Sequence, residues 1–288
     1  MLGSKRRPIS TIARLRLIAC LAPLLGAAPF ASAAALRVAK EGPSGRVYAP
    51  CALDGVSTEC FLDTGANSST VPDRPPWNAY PGKPGHSRSA SGHVEECRSI
   101  VIDKIRVSNW SLEKLDVLRC STVAVSEPQI GLDVFRGRIV ELDLQKKILR
   151  GLERIPTRLQ TQKLLDNGKA LFIPVSIDGK ISDAMFDTGA TLSVVDREFV
   201  KKNPGLFTSV GDVDSGKDGA NVKMDARLYY LKEATIGGKD FRQVETVAIS
   251  FEQFKDVLPP GSYFVAGYSV IRRARWYLDL KNGNWALR

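Results

Sequence analysis

Asp63 and Asp187 each open the tetrapeptide Asp-Thr-Gly-Ala, at 63–66 and again at 187–190, in a chain of 288 residues. Two carboxyl groups held a few ångströms apart resist losing both protons, because the second charge would face the first. One acid then stays protonated beside an ionised partner. Such a pair can cleave a peptide bond with water alone: the carboxylate takes a proton from a bound water, and the acid polarises the scissile carbonyl. That route needs neither a metal nor a covalent nucleophile, so no cofactor is expected. Gly65 and Gly189 let the backbone turn tightly beside each carboxylate, and the hydroxyls of Thr64 and Thr188 can bond from one copy of the loop to the other. Ala66 and Ala190 complete the two turns.

The elements that must carry these loops form an internal repeat. Val47 to Ala66 matches Leu171 to Ala190 without a gap, pairing Pro50 with Pro174 and Asp54-Gly55 with Asp178-Gly179 at an offset of 124. A second block, Gly131-Leu-Asp-Val-Phe with Glu141-Leu-Asp-Leu, recurs as Gly267-Tyr-Ser-Val-Ile with Tyr277-Leu-Asp-Leu at an offset of 136. Two separated blocks in the same order indicate duplication of a whole lobe, and a loop absorbs the extra residues of the second copy. In each copy β-forming residues flank an Asp-Gly pair, a strong hairpin signal, and the returning strand runs into the aspartate. The expectation is an all-β, bilobal fold with lobes at 34–150 and 169–288. Residues 151–168, polar and interrupted by Pro156, read as a linker with room for a short helix.

Residues 1–33 have the layout of an export signal. Lys5, Arg6, Arg7, Arg14 and Arg16 precede an apolar run from Leu17 to Phe30, which ends in Ala31-Ser32-Ala33. The run is shorter than the roughly 20 residues needed to span a bilayer. Cleavage near Ala33 or Ala35, a periplasmic or secreted location and no stable membrane insertion afterwards are therefore expected. Five of the 41 Lys and Arg lie in this segment against none of the 31 Asp and Glu, so removing it lowers the net charge from +10 to +5. The remaining basic residues are scattered without aromatic interleaving, which reads as a solvated surface and not a nucleic-acid footprint. Cys51, Cys60, Cys97 and Cys120 remain, an even number suited to two disulfides in an oxidising compartment. A hairpin turning at Ser108-Asn109 sets Cys97 opposite Cys120, while Cys51 and Cys60 lie diagonally across the Asp54-Gly55 hairpin. Zinc is disfavoured because no Cys-x-x-Cys spacing occurs and the only histidines, His86 and His93, sit in a Gly/Ser-rich stretch.

The strings Phe61-Leu-Asp-Thr-Gly-Ala66 and Met185-Phe-Asp-Thr-Gly-Ala190 resemble the active-site loops of the pepsin and retropepsin superfamily of aspartic proteases. The superfamily's later apolar-apolar-Gly element is matched by Val265-Ala266-Gly267. Gln129-Ile130-Gly131 departs from it by one polar residue. The resemblance covers most of residues 46–288 and implies an aspartic endopeptidase acting on a peptide or protein substrate laid across an interlobe cleft. Asp63 and Asp187 would be the catalytic pair, and a monomer would suffice to form it. It also implies a flap that closes over substrate, with candidate tips at Gly85 to Val94 and Gly211 to Val222. Pepsin-like enzymes carry Ser or Thr where this chain has Ala66 and Ala190, so activity at milder pH than a digestive acid protease is expected. The alternatives on the same fold are a non-catalytic peptide-binding module and a structural envelope protein.

Overall fold

A two-residue turn with both central residues at positive φ matches the twist of the strands it joins, and both Asp-Gly pairs adopt it. Asp54 and Gly55 have φ of 47° and 83°, and Asp178 and Gly179 have φ of 51° and 71°. The turns connect Arg46–Leu53 to Val56–Leu62 and Leu171–Ile177 to Lys180–Phe186. The first turn is also tied to its surroundings, since Asp54 accepts the Lys104 backbone N–H at 2.7 Å and the Tyr80 hydroxyl at 3.0 Å. These features come from a computed structural model that describes residues 34–39, 42, 44–121, 127–212, 216–217 and 222–288. The export-signal segment at 1–33 lies outside the described residues.

Each repeat winds its hairpin into a closed barrel. In the first, the order is Arg46–Leu53, Val56–Leu62, Gln129–Ile130, Thr70–Pro72, Trp110–Cys120 and Val94–Val107. Cys51–Leu53 pair back onto Ile105–Val107 and close the ring. The second has the same order in Leu171–Ile177, Lys180–Phe186, Phe264–Ala266, Ser193–Asp196, Lys239–Ile249 and Arg227–Ile236. Val175 and Ser176 close it against Ile236 and Thr235. Alternation along the strands sends Leu53, Leu62, Ile100, Ile102 and Ile105 into the first interior and Ile173, Val175, Phe186 and Phe241 into the second, all fully buried. Each such side chain contributes about 1.5–3 kcal/mol through burial. The chain is thus all-β, with only short helical turns.

A third, antiparallel sheet is shared by the repeats, in the order Ala34–Ala35, Ile148–Leu152, Ile139–Asp143, Arg275–Asp279, Asn284–Leu287 and Gln162–Lys163. Its central seam pairs Glu141 with Tyr277, the two residues that correspond at the 136 offset. Trp276 and Trp285 are fully buried on this sheet, stacked with ring centroids 5.9 Å apart. Across the seam Arg275 Nε lies 2.8 Å from Asp143 and its Nη1 3.3 Å from Glu141, whose side chain is 1% exposed.

No helix forms in 151–168. Gln162–Lys163 instead takes an edge of the shared sheet, and Leu165–Asp166 pairs with Leu171 and Phe172. The stretch lacks an apolar stripe at helical spacing, while neighbouring strand edges offer unpaired backbone partners. Two disulfides brace the first barrel: Cys97–Cys120, between directly opposed residues, and Cys51–Cys60, set diagonally, with Cα separations of 4.5 and 5.9 Å.

Candidate active site

Each aspartate sits where its strand leaves the barrel. The strand ending at Leu62 runs parallel to Gln129–Ile130, and Asp63 donates its N–H to Ile130 at 3.0 Å. In the second repeat the strand ending at Phe186 runs parallel to Phe264–Ala266, with Asp187 N–H on Ala266 at 3.0 Å. Leu132 and Tyr268 then donate to the carbonyls of Ala66 and Ala190 at 2.8 and 2.9 Å, which holds each loop against the glycine of the later block.

The loops are clamped to each other by buried threonines. Thr64 N–H donates to Thr188 Oγ1 and Thr188 N–H to Thr64 Oγ1, each at 3.0 Å. The hydroxyls pass on to the opposite strands, Thr64 to Phe186 O at 2.8 Å and Thr188 to Leu62 O at 2.9 Å. These four bonds satisfy both buried threonine hydroxyls and their own amides.

The clamp brings the two carboxyl groups within hydrogen-bonding reach of one another. Asp63 Oδ1 accepts from Gly65 and Ala66 N–H at 2.9 and 3.1 Å; Asp187 Oδ1 accepts from Gly189 and Ala190 at 2.8 and 3.2 Å. Burial pushes the Asp63 carboxyl well above its ordinary value, and the Asp187 charge adds to the rise. The Asp187 carboxyl is raised as well, by burial, with the N–H groups of Gly189 and Ala190 and a hydrogen bond from Asp63 pulling it back. Burial and mutual repulsion thus favour a pair that retains a shared proton.

The glycines are required by this closeness. A Cβ on Gly65 would lie 2.5 Å from Cγ of Asp187, and one on Gly189 would overlap the Asp63 carboxyl group in the same way. Gly65→Ala is expected to lower any turnover by about 100-fold or more through displaced carboxyls. It should also cost about 1–3 kcal/mol of stability through overpacking. Turnover assays and thermal unfolding check this; an unchanged melting temperature and rate would show that the loops have slack.

Three participants escaped the sequence reading. Gln129 Nε2 donates to the outer oxygen of Asp63, Oδ2, at 2.8 Å. Behind the first loop, Asp133 takes the N–H and hydroxyl of Ser69, both at 2.7 Å, and Ser69 Oγ accepts from Gly131 N–H at 3.0 Å. In the second repeat Ser269 lies 2.9 Å from Ser193, whose hydroxyl accepts from Gly267 N–H at 3.1 Å. The polar break at Gln129 and the second-block correspondence of Asp133 to Ser269 were the available signals.

Of the two flap candidates, Gly85 to Val94 forms the end of the hairpin joining Gly82–Arg88 to Val94–Val107. His86 and His93 are exposed there. Arg88 reaches to 3.6 Å from Asp256 of the second repeat, so the hairpin end meets the opposite half. The other, Gly211 to Val222, falls largely outside the described residues. The one grouping of possible metal ligands among the described residues, Glu95 with Cys97 and Cys120, has both sulfurs committed to a disulfide. No helix among the described residues is long and apolar enough to cross a membrane.

A comparison with curated proteins finds no match to the chain. A family model described as aspartyl protease matches residues 173–261, which span the Asp187 loop and most of the second barrel. The match lies on the second repeat, which is thus similar to the aspartyl protease family, and the same Asp-Thr-Gly-Ala loop is built again in the first repeat.

Proposed function

We propose that the protein is an exported aspartic endopeptidase in which Asp63 and Asp187 activate a water molecule to hydrolyse a peptide bond. The observation that carries this reading is the threonine clamp, which brings two carboxyls from different repeats within hydrogen-bonding reach of each other. The raised proton affinities fit the chemistry: the singly ionised pair supplies a base for the water and an acid for the scissile carbonyl. In this reading the lobes are 34–150 and 169–288, joined by 151–168, with the substrate extended between them. Residues 1–33 are the removed export signal. Two disulfides suit a periplasmic or secreted location, and one chain supplies both acids, so a monomer is competent.

Ala66 and Ala190 leave the loops without a hydroxyl to stabilise the ionised pair, and burial raises both proton affinities. The acid limb of kcat/KM should therefore lie higher than in an enzyme whose carboxyls are strongly solvated by hydroxyl donors. The test is digestion of a mixed peptide library by purified protein across pH, with a statine-type transition-state analogue as inhibitor. Internal cleavage blocked by the analogue, extending above about pH 4, is expected. A profile confined below that would contradict the pH assignment. Peptide binding without cleavage at any pH would favour a binding module on the same fold.

A further inference from the structure

We propose that Gln129 is a positioning residue of the pair: its amide N–H on the outer oxygen of Asp63 makes it easier for that carboxyl to carry the pair's single negative charge. The proposal rests on the reading of these aspartates as the catalytic pair. Each inner oxygen accepts from two backbone N–H groups of its own loop, and the Asp187 carboxyl also draws on the Gly65 N–H of the opposite loop. The side-chain donors are uneven in the other direction. Gln129 stands opposite Phe61 in the parallel ladder and sends Nε2 to Asp63 Oδ2 at 2.8 Å. Its counterpart in the second repeat, opposite Met185, is Val265, which has no group to donate. The near-symmetry of the two halves is therefore broken at an oxygen that must carry charge if Asp63 takes a proton from water. With alanine at 66 and 190, neither loop supplies a side-chain hydroxyl at the residue after its glycine, and Gln129 provides a donor for one carboxylate only.

A donated N–H stabilises a carboxylate over its acid, so Gln129 opposes the burial and repulsion that hold the proton on Asp63. The titratable group facing Asp63 is Asp187 from the opposite loop. Nearby on the helix after Gly131, Asp133 is engaged by Ser69, and Arg136 is bound to Asn67, Asp166 and the Gly168 carbonyl. Loss of the Gln129 donor therefore acts on the pair itself.

The experiment is a ¹³C NMR titration of the full protein labelled at aspartate Cγ, with signals assigned through Asp63→Asn and Asp187→Asn. Wild type is compared with Gln129→Val, which copies the second repeat, and with Gln129→Glu, which keeps the shape and replaces the donor by an acceptor. The lower of the pair's two midpoints is expected to rise by about one pH unit in Gln129→Val. It should rise further in Gln129→Glu, and the acid limb of kcat/KM should move in step. A lower midpoint unchanged in both variants overturns the proposal. A shifted midpoint in a protein that cleaves no peptide would retain the role of Gln129 and sink the peptidase reading. Cleavage with unmoved midpoints would do the reverse.

Discussion

Asp63→Asn and Asp187→Asn should each abolish peptide cleavage while making the folded protein harder to melt near neutral pH. For activity, the proposed mechanism gives each acid a role its partner cannot fill alone, so the loss should reach about 10⁴-fold or more, the scale seen when one member of a catalytic unit is removed. For stability the sign follows from the raised proton affinities of the pair. A carboxyl that holds its proton more tightly folded than unfolded favours the fold in acid. That advantage is lost as pH rises from the ordinary carboxylate range through the raised folded value. Asparagine carries no such penalty and has nearly the same shape. Melting curves of variant and wild type should therefore converge in acid and separate near neutrality, by about 2–4 °C for each kcal/mol relieved. Cleavage surviving either substitution would sink the pair as the catalytic unit, and equal melting temperatures near neutrality would show that its carboxyls are not strained.

Arg275→Leu should be the most damaging substitution away from the cleft. Its guanidinium serves Asp143 and Glu141 across the seam of the shared sheet, and both carboxylate side chains are almost inaccessible. Arg150 also reaches Glu141, at 2.6 Å, but from a half-exposed position. Removing one member of a buried ionic cluster leaves uncompensated charge and costs about 3–5 kcal/mol. For a protein of this size that is a fall on the order of 10 °C in melting temperature. Adding Glu141→Gln and Asp143→Asn to Arg275→Leu should recover much of the loss, because no net charge then remains to be buried beside the apolar side chain. A fall of under about 1 kcal/mol in Arg275→Leu would mean that the cluster behaves as an exposed surface pair.

The local parts of this molecule were legible because they are short-range. The Asp-Gly turns specify their own backbone, the cysteine pairings follow from hairpin register, and the two aspartates announce themselves through the 124-residue offset. The shared sheet was not legible: strands such as Ala34–Ala35 and Gln162–Lys163 are two residues long and exist only because a distant edge is waiting for them. Gln129 shows the same limit inside the site. Its polar character was visible as a break in an apolar pattern, but its aim at Asp63 depends on the parallel pairing of 61–62 with 129–130, a contact across 68 residues. The Ser69–Asp133 support likewise depends on that crossing.

The seam of the shared sheet also bears on the duplication itself. Glu141 meets Tyr277 there, so the axis relating the halves passes between corresponding residues, as it would between two identical chains. The flanking residues no longer permit that arrangement for the first half. Arg275 corresponds to Ile139, and in a symmetric pair of first halves Ile139 would replace it opposite Asp143, while Glu141 would confront its own copy. Four buried carboxylates would then meet with only the half-exposed Arg150 of each half beside them. The seam arginine thus makes this sheet complementary between unlike halves, whereas a pairing of two first halves would set like charges against one another.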